Sequence, residues 1–291
     1  MEELKGLVVE REAQLIGVYV FAKDEIYRGI PLGKIRKSEK VWAGDYVYGH
    51  ITEDDQFAIT SIAPRKNFLI RPKIANVDRA IVVMTIIEPE FQSYLLDNLL
   101  VIYEKEGVGI VIVFNKLDLW GEEEKKEFEF WKGVYEKAGY PVLKVSAVTG
   151  EGIEDLVNFL EGEICIFAGP SGVGKSALLS KITGVELKCG ELSRKTRRGR
   201  HTSRGVKLIP FGKGSFVGDS PGFSKVEASS IVDKREIKDY FPEFYKYECR
   251  FPNCTHTNEP DCGVREAFER GEIPESRYKN YLKMVGAFTS L

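Results

Sequence analysis

The stretch GPSGVGKS, Gly169 to Ser176, constrains this chain more than any other. It fits G-x-x-x-x-G-K-[ST] and stands between an apolar run, EICIFA, and a helix-forming run, KSALLSKI. Glycines let backbone N–H groups turn inward onto phosphate oxygens, and the following helix offers the favourable end of its dipole. Such a loop needs a buried strand before it and a helix after it, so its domain is read as α/β with a parallel sheet. Gly169, Pro170, Ser171, Gly172, Val173 and Gly174 form the cradle in this reading. Lys175 reaches the β and γ phosphates, and the Ser176 hydroxyl holds Mg²⁺.

Phosphate loops serve kinases, ATPases and GTPases alike, so the base has to decide. VIVFNKLDLW, Val111 to Trp120, reads as a buried strand running into Asn115, Lys116, Leu117 and Asp118. The Asp118 carboxylate can accept from the two N–H donors on the Watson–Crick edge of guanine, which adenine lacks. Asn115 can meet the major-groove edge, and the Lys116 stem can cover the ring. SAVTG, Ser146 to Gly150, follows the next strand and offers the Ala147 N–H to the guanine carbonyl. A kinase of small molecules has no need of this pair. VGDSPGF supplies Asp219 for water-mediated contact with Mg²⁺ and Gly222 to sense the γ-phosphate. Between lies the basic run from Ser193 to Gly205, with Thr202 or Ser203 as the hydroxyl that completes the Mg²⁺ shell. The run reads as a solvated loop or as an RNA contact ordered by nucleotide. Phe223 stands where many GTPases place a catalytic glutamine, so another group must orient water. His201 is one candidate, a solvated or RNA-facing histidine the alternative.

The order of these motifs is NKxD, SAxxG, phosphate loop, Thr loop, DxxG. The usual order starts at the phosphate loop. Cutting the usual domain after its third strand and joining its old ends gives the order seen here, so the domain is read as circularly permuted. Termini often lie close together, which makes such rearrangement sterically cheap.

Around this domain the rhythm changes. Five short β-rich runs fill the first seventy residues, which suits a small OB-fold barrel. RKNFLIRPKIANVD reads as a linker, and from about Val232 the chain turns helical. The expected domains are 1–72, an OB-fold barrel; 73–230, the permuted GTPase; and 231–291, a helical zinc-binding domain. With 43% hydrophobic and 30% charged residues, 291 residues can bury several cores. A formal charge of −2 gives no global nucleic-acid signal, so an RNA surface has to be local. No apolar run reaches membrane-spanning length and MEELKGLVVE is not a signal peptide, which predicts a cytoplasmic protein without membrane contact. Five cysteines, an odd number, argue against a disulfide framework.

Three of those cysteines crowd together. Cys249-x4-Cys254-x-His256-x5-Cys262 offers three thiolates and an imidazole. Four such ligands fill a tetrahedral zinc shell and leave no open position, so the metal is read as structural. The alternative is buried free thiols beside a surface histidine. On the barrel, Trp42, Tyr46 and Tyr48 share one parity and are either core or a base-stacking face.

Taken with RPKIANVD, NKLD, SAVTG, GPSGVGKS, GRHTS, DSPGF and CRFPNCTHTNEPDC, the chain resembles the family of ribosome small-subunit-dependent GTPase A over essentially its whole length. The resemblance implies a slow GTPase stimulated by the small ribosomal subunit and its rRNA, acting late in subunit maturation. It also implies GTP or GDP with Mg²⁺, one structural Zn²⁺ and a monomer. Ser203 replaces a usual threonine of that family, which leaves the switch hydroxyl open between Thr202 and Ser203, and Ser220 replaces another. The rival reading is a GTP-dependent RNA-binding scaffold in which hydrolysis is incidental.

Overall fold

The computed structural model describes residues 3–12, 15–33, 35, 40–70, 72–187, 206–212, 214–219 and 227–287. The chain divides into two compact units. One comprises Met1–Ala80, Ile153–Ala168 and Lys175–Phe223, the other Ile81–Gly152, Gly169–Gly174 and Ser224–Leu291.

The first unit contains the expected barrel. Strands β1 (Leu4–Glu12), β2 (Leu15–Val20), β3 (Glu25–Pro31), β4 (Tyr46–Ile51) and β5 (Gln56–Ile62) close in the order β1-β2-β3-β5-β4. All neighbours pair antiparallel except β3 and β5. Closure leaves no open sheet edge, and β-branched side chains at Val8, Ile16, Val18, Val47 and Ile59 fill the interior around Phe57.

The segment read as a linker is structured. It forms a short hairpin, β6 (Phe68–Ile70) with β7 (Lys73–Ala75). Two asparagines explain the difference. Asn67 exchanges two hydrogen bonds with the Val77 backbone, at 2.7 and 2.9 Å. Asn76, buried, donates to the Gly44 carbonyl at 2.8 Å and accepts from the Lys66 N–H at 2.9 Å. These bonds pin the segment to the barrel, where hydropathy alone shows only a proline break. Gly44 has φ +85°, and a Cβ there would lie 1.9 Å from the Ala75 carbonyl oxygen.

Six further strands hydrogen-bond in two runs, β10-β9-β8 and β11-β13-β12. They are β8 (Arg79–Met84), β9 (Gly109–Phe114), β10 (Val142–Lys144), β11 (Ile164–Ala168), β12 (Leu208–Phe211) and β13 (Ser215–Asp219). β10 pairs parallel with β9, and β11 parallel with β13. β12 departs from the parallel expectation: it is an edge strand running antiparallel to β13. Only three residues separate β12 and β13, room for a hairpin and not for a crossover. The helices are α1 (Ser93–Lys105), α2 (Glu122–Lys137), α3 (Ile153–Asn158) and α4 (Lys175–Thr183). α2 starts under a first turn of three glutamates, and Glu124 caps the Gly121 N–H at 2.8 Å.

The C-terminal segment is less helical than its sequence predicts. Ile237–Tyr240 and Pro242–Lys246 are 3-10 turns, separated where Pro242 removes a backbone donor. α5 (Gly263–Glu269) and α6 (Glu275–Val285) follow. Arg277 of α6 is fully buried. Its guanidinium donates to Asp97 of α1 at 2.6 Å and, bidentate, to Glu243 at 2.7 and 3.0 Å. Asn280 donates to the second Asp97 oxygen at 2.7 Å. Burial pushes the Asp97 carboxyl up, and Arg277 pulls it back down. No helix among the described residues is long and apolar enough to cross a membrane.

Candidate nucleotide site and metal centre

In the second unit, Asn115 leaves the end of β9 and is 2% exposed. Its amide is already committed: Nδ2 donates to the Val173 carbonyl at 2.8 Å, and Oδ1 accepts from the Ala147 N–H at 3.1 Å. The residue ties three loops together, whereas the sequence reading gave it only the major-groove edge of the base. Two glycines make room for this junction. A Cβ at Gly174 (φ +92°) would lie 2.3 Å from Asn115 Nδ2, and one at Gly169 (φ +135°) 2.1 Å from the Val83 carbonyl oxygen.

Lys116 takes a left-handed backbone, φ 68°, and its ammonium donates to the Glu88 carbonyl. The following 3-10 turn, Leu117–Leu119, leaves Asp118 exposed. The buried Ser146 hydroxyl donates to Asp118 Oδ1, and accepts from the Thr149 N–H at 3.0 Å. The Asp118 carboxylate is thus oriented from behind and open in front. The sequence reading gave Ser146 no such role. Its mark in the sequence is only that SAVTG follows the next strand.

In the first unit, Lys175 and Ser176 begin α4, and Asp219 ends β13. Burial pulls the Lys175 ammonium pKa down, and the Asp219 charge opposes that shift. A cation and a carboxylate under mutual influence at a helix N-terminus suit a phosphate–metal pair. His201, Thr202, Ser203 and Gly222, with Phe223 and most of the basic run, lie outside the described residues.

Cys249, Cys254, His256 and Cys262 form one cluster, with their ligand atoms all within 4.8 Å of one another. Cys249 and Cys262 face each other across an antiparallel bridge. Their sulfurs are 3.8 Å apart, and each lies 3.5 Å from His256 Nδ1. A tetrahedron with zinc–sulfur bonds of about 2.3 Å and a zinc–nitrogen bond of about 2.0 Å has edges of about 3.8 and 3.5 Å. The donor set and its spacing therefore fit zinc. Cys262 also caps α5, where its sulfur accepts from the Arg265 N–H. Burial pushes the Cys254 thiol up to about 12, a shift that a divalent cation reverses. Glu259, which the sequence reading missed, folds the loop. It accepts from the N–H groups of Thr255, Thr257 and Asn258 at 2.7, 3.0 and 3.2 Å. Tyr278 and Tyr281 of α6 donate to the carbonyls of His256 and Thr255.

On the barrel, Trp42, Tyr46 and Tyr48 are half-buried. Lys5 lies 4.4 Å from the Tyr46 ring, and Arg11 and Lys73 lie 5.2 and 4.9 Å from the Trp42 ring. The Trp42 and Tyr46 rings carry cations, and none of the three belongs to the barrel's core cluster.

The family described as RsgA GTPase matches residues 62–229. The chain is 45% identical over 282 residues to the small ribosomal subunit biogenesis GTPase RsgA of Thermotoga petrophila, covering 96% of this chain and 95% of that one. With the protein of the same name from Carboxydothermus hydrogenoformans it shares 42% identity over 293 residues, 99% of this chain and 98% of that one. The crystal structure of YjeQ from Thermotoga maritima is similar at a TM-score of 0.84 and 37% identity, covering 98% of both chains. YloQ, a circularly permuted GTPase, is similar at a TM-score of 0.82 and 27% identity, covering 98% of this chain and 94% of that one. The displaced NKLD thus lies in a circularly permuted GTPase fold, and the chain belongs to the RsgA GTPase family.

Proposed function

We propose that this protein hydrolyses GTP to GDP and phosphate in the service of small ribosomal subunit biogenesis. The observation that carries the reading is the Asn115 junction, which binds the phosphate loop at Val173 to the guanine-type loop at Ala147. Asp118 then selects guanine, backed by Ser146, and the Ala147 N–H, which otherwise donates to Asn115, is the donor offered to the base carbonyl. The cradle from Gly169 to Gly174 wraps the phosphates, Lys175 binds their β and γ oxygens, and Ser176 and Asp219 hold Mg²⁺. Bound Mg²⁺ neutralises charge on those phosphates. Thr202 or Ser203 completes its shell, Gly222 senses the γ-phosphate, and either His201 or a group from the subunit orients water in the absence of a glutamine at Phe223.

The parts follow the sequence: a barrel over 1–72, the GTPase over 73–230 and a structural zinc module over 231–291. The protein works as a cytoplasmic monomer on the rRNA of the small subunit, late in maturation, and the subunit stimulates turnover. Steady-state GTP turnover with and without purified small subunits tests this. Slow hydrolysis alone and faster hydrolysis with subunits is the expected result. Turnover that subunits leave unchanged refutes the coupling and favours the scaffold reading.

For the metal, purified protein should carry about one equivalent of zinc, and Cys254→Ala about none. GTP binding should persist in the variant, because no cluster ligand belongs to the base or phosphate loops. Metal analysis by mass spectrometry decides, and zinc-free protein from a chelator-free preparation refutes the centre.

A further inference from the structure

The turn between β8 and α1, residues 85–91, carries no motif, yet it meets both the base loop and the phosphate loop inside the second unit. It starts beside Asn115, whose backbone N–H donates to the Met84 carbonyl at 2.9 Å. The Lys116 ammonium donates to the Glu88 carbonyl. On the phosphate side, a Cβ at Gly172 (φ +90°) would meet Pro89 Cδ at 3.7 Å, so Pro89 lies alongside that loop.

The turn is held from within. The Thr85 side chain is 1% exposed, and its hydroxyl donates to the Pro89 carbonyl at 2.7 Å. The Phe91 N–H donates to the Ile86 carbonyl at 3.1 Å. The Phe91 ring packs on Phe114, the last residue of β9, and on Trp131 of α2, with centroids 5.2 and 4.6 Å apart.

The backbone marks the same place. Lys116 and Glu88, donor and acceptor of one bond, have φ of 68° and 54°. Left-handed backbone is uncommon for residues with a side chain and persists where surrounding contacts enforce it. Asn115 has partners in Val173 and Ala147, and Asp118 has one in Ser146. The Glu88 carbonyl is the corresponding partner of Lys116. A free lysine stem samples many rotamers, and freezing it over a base opposes binding. A stem tethered at its far end has given up that freedom beforehand.

We propose that Thr85 is a positioning residue for guanine nucleotides. Its hydroxyl fixes the turn, the turn presents the Glu88 carbonyl, and that carbonyl holds the Lys116 stem ready for the guanine ring. The inference rests on the role given to Lys116 in the proposed nucleotide site. Because Lys116 serves the base, GDP and GTP should feel Thr85 equally.

The test measures dissociation constants of GDP and of a non-hydrolysable GTP analogue on the full chain, by calorimetry. Thr85→Val keeps the side chain's shape and loses its hydroxyl. It should weaken both nucleotides by roughly three- to tenfold. Thr85→Ser, which keeps the hydroxyl, should bind nearly as the wild type does. In a Lys116→Met background Thr85→Val should cost nothing further, because its route to the base is cut. A merely structural role would weaken binding in both backgrounds. If Thr85→Val does not fold, Glu88→Gly against Glu88→Gln decides. Both remove the carboxylate, but only glycine frees the backbone that aims the carbonyl. Glycine should weaken GDP more than glutamine does, and only where Lys116 is present. A Thr85→Val or Glu88→Gly protein that binds as its control does, or a loss that persists in Lys116→Met, overturns the proposal alone. A Lys116→Met protein that holds GDP as the wild type does overturns the role of Lys116 as well.

Discussion

Asp118→Asn should turn the preference of the base site from GTP toward XTP. In the proposed site the Asp118 carboxylate, held by Ser146, accepts two N–H groups of guanine. Each such charge-assisted bond is worth about 1.5–3 kcal/mol. Losing both should weaken GTP by roughly a hundredfold or more. Xanthine carries a carbonyl where guanine carries its amino group, so the Asn amide can donate there and still accept from the ring N–H. Competition between the two nucleotides for wild type and variant measures the change. A variant that holds GTP as the wild type does and gains nothing for XTP refutes the assignment of NKLD.

The second large effect concerns stability. Arg277→Met should destabilise the second unit by about 3–5 kcal/mol, because it strands Asp97 and Glu243 as buried charges. The thermal midpoint should fall by roughly 10 °C. Adding Asp97→Asn and Glu243→Gln removes the stranded charges, so the triple variant should regain part of the loss. Calorimetry on the three proteins checks both claims. A single variant that melts with the wild type shows that the buried pairs contribute nothing net.

The elements legible in the sequence are those whose signal is local. Apolar runs bounded by glycine and aspartate located all five barrel strands, and the phosphate loop fixed the strand and helix around it. Motif order exposed the permutation, because each motif is tied to the end of a particular strand. The linker was misread because Asn67 and Asn76 act through side-chain bonds to distant backbone, which hydropathy does not record. Asn115 was read as a base contact, and its work as a post between loops was not legible. That role exists only once Val173 and Ala147 are neighbours. Arg277 left no trace at all: one arginine in an amphipathic helix reads as solvated surface, and its partners lie 180 and 34 residues away.

Those separations also set an order of events during synthesis. Arg277 is made 180 residues after Asp97 and 34 after Glu243. Until then Asp97 and Glu243 have no guanidinium to meet, and burying them bare is costly. α1 and the Pro242 turn therefore stay hydrated on their charged faces while the nascent chain grows. The barrel's strands, all within the first sixty-two residues, carry no such debt and can close early. Completion of the second unit waits for α6, so a message truncated before it yields a folded barrel followed by an unfinished second unit.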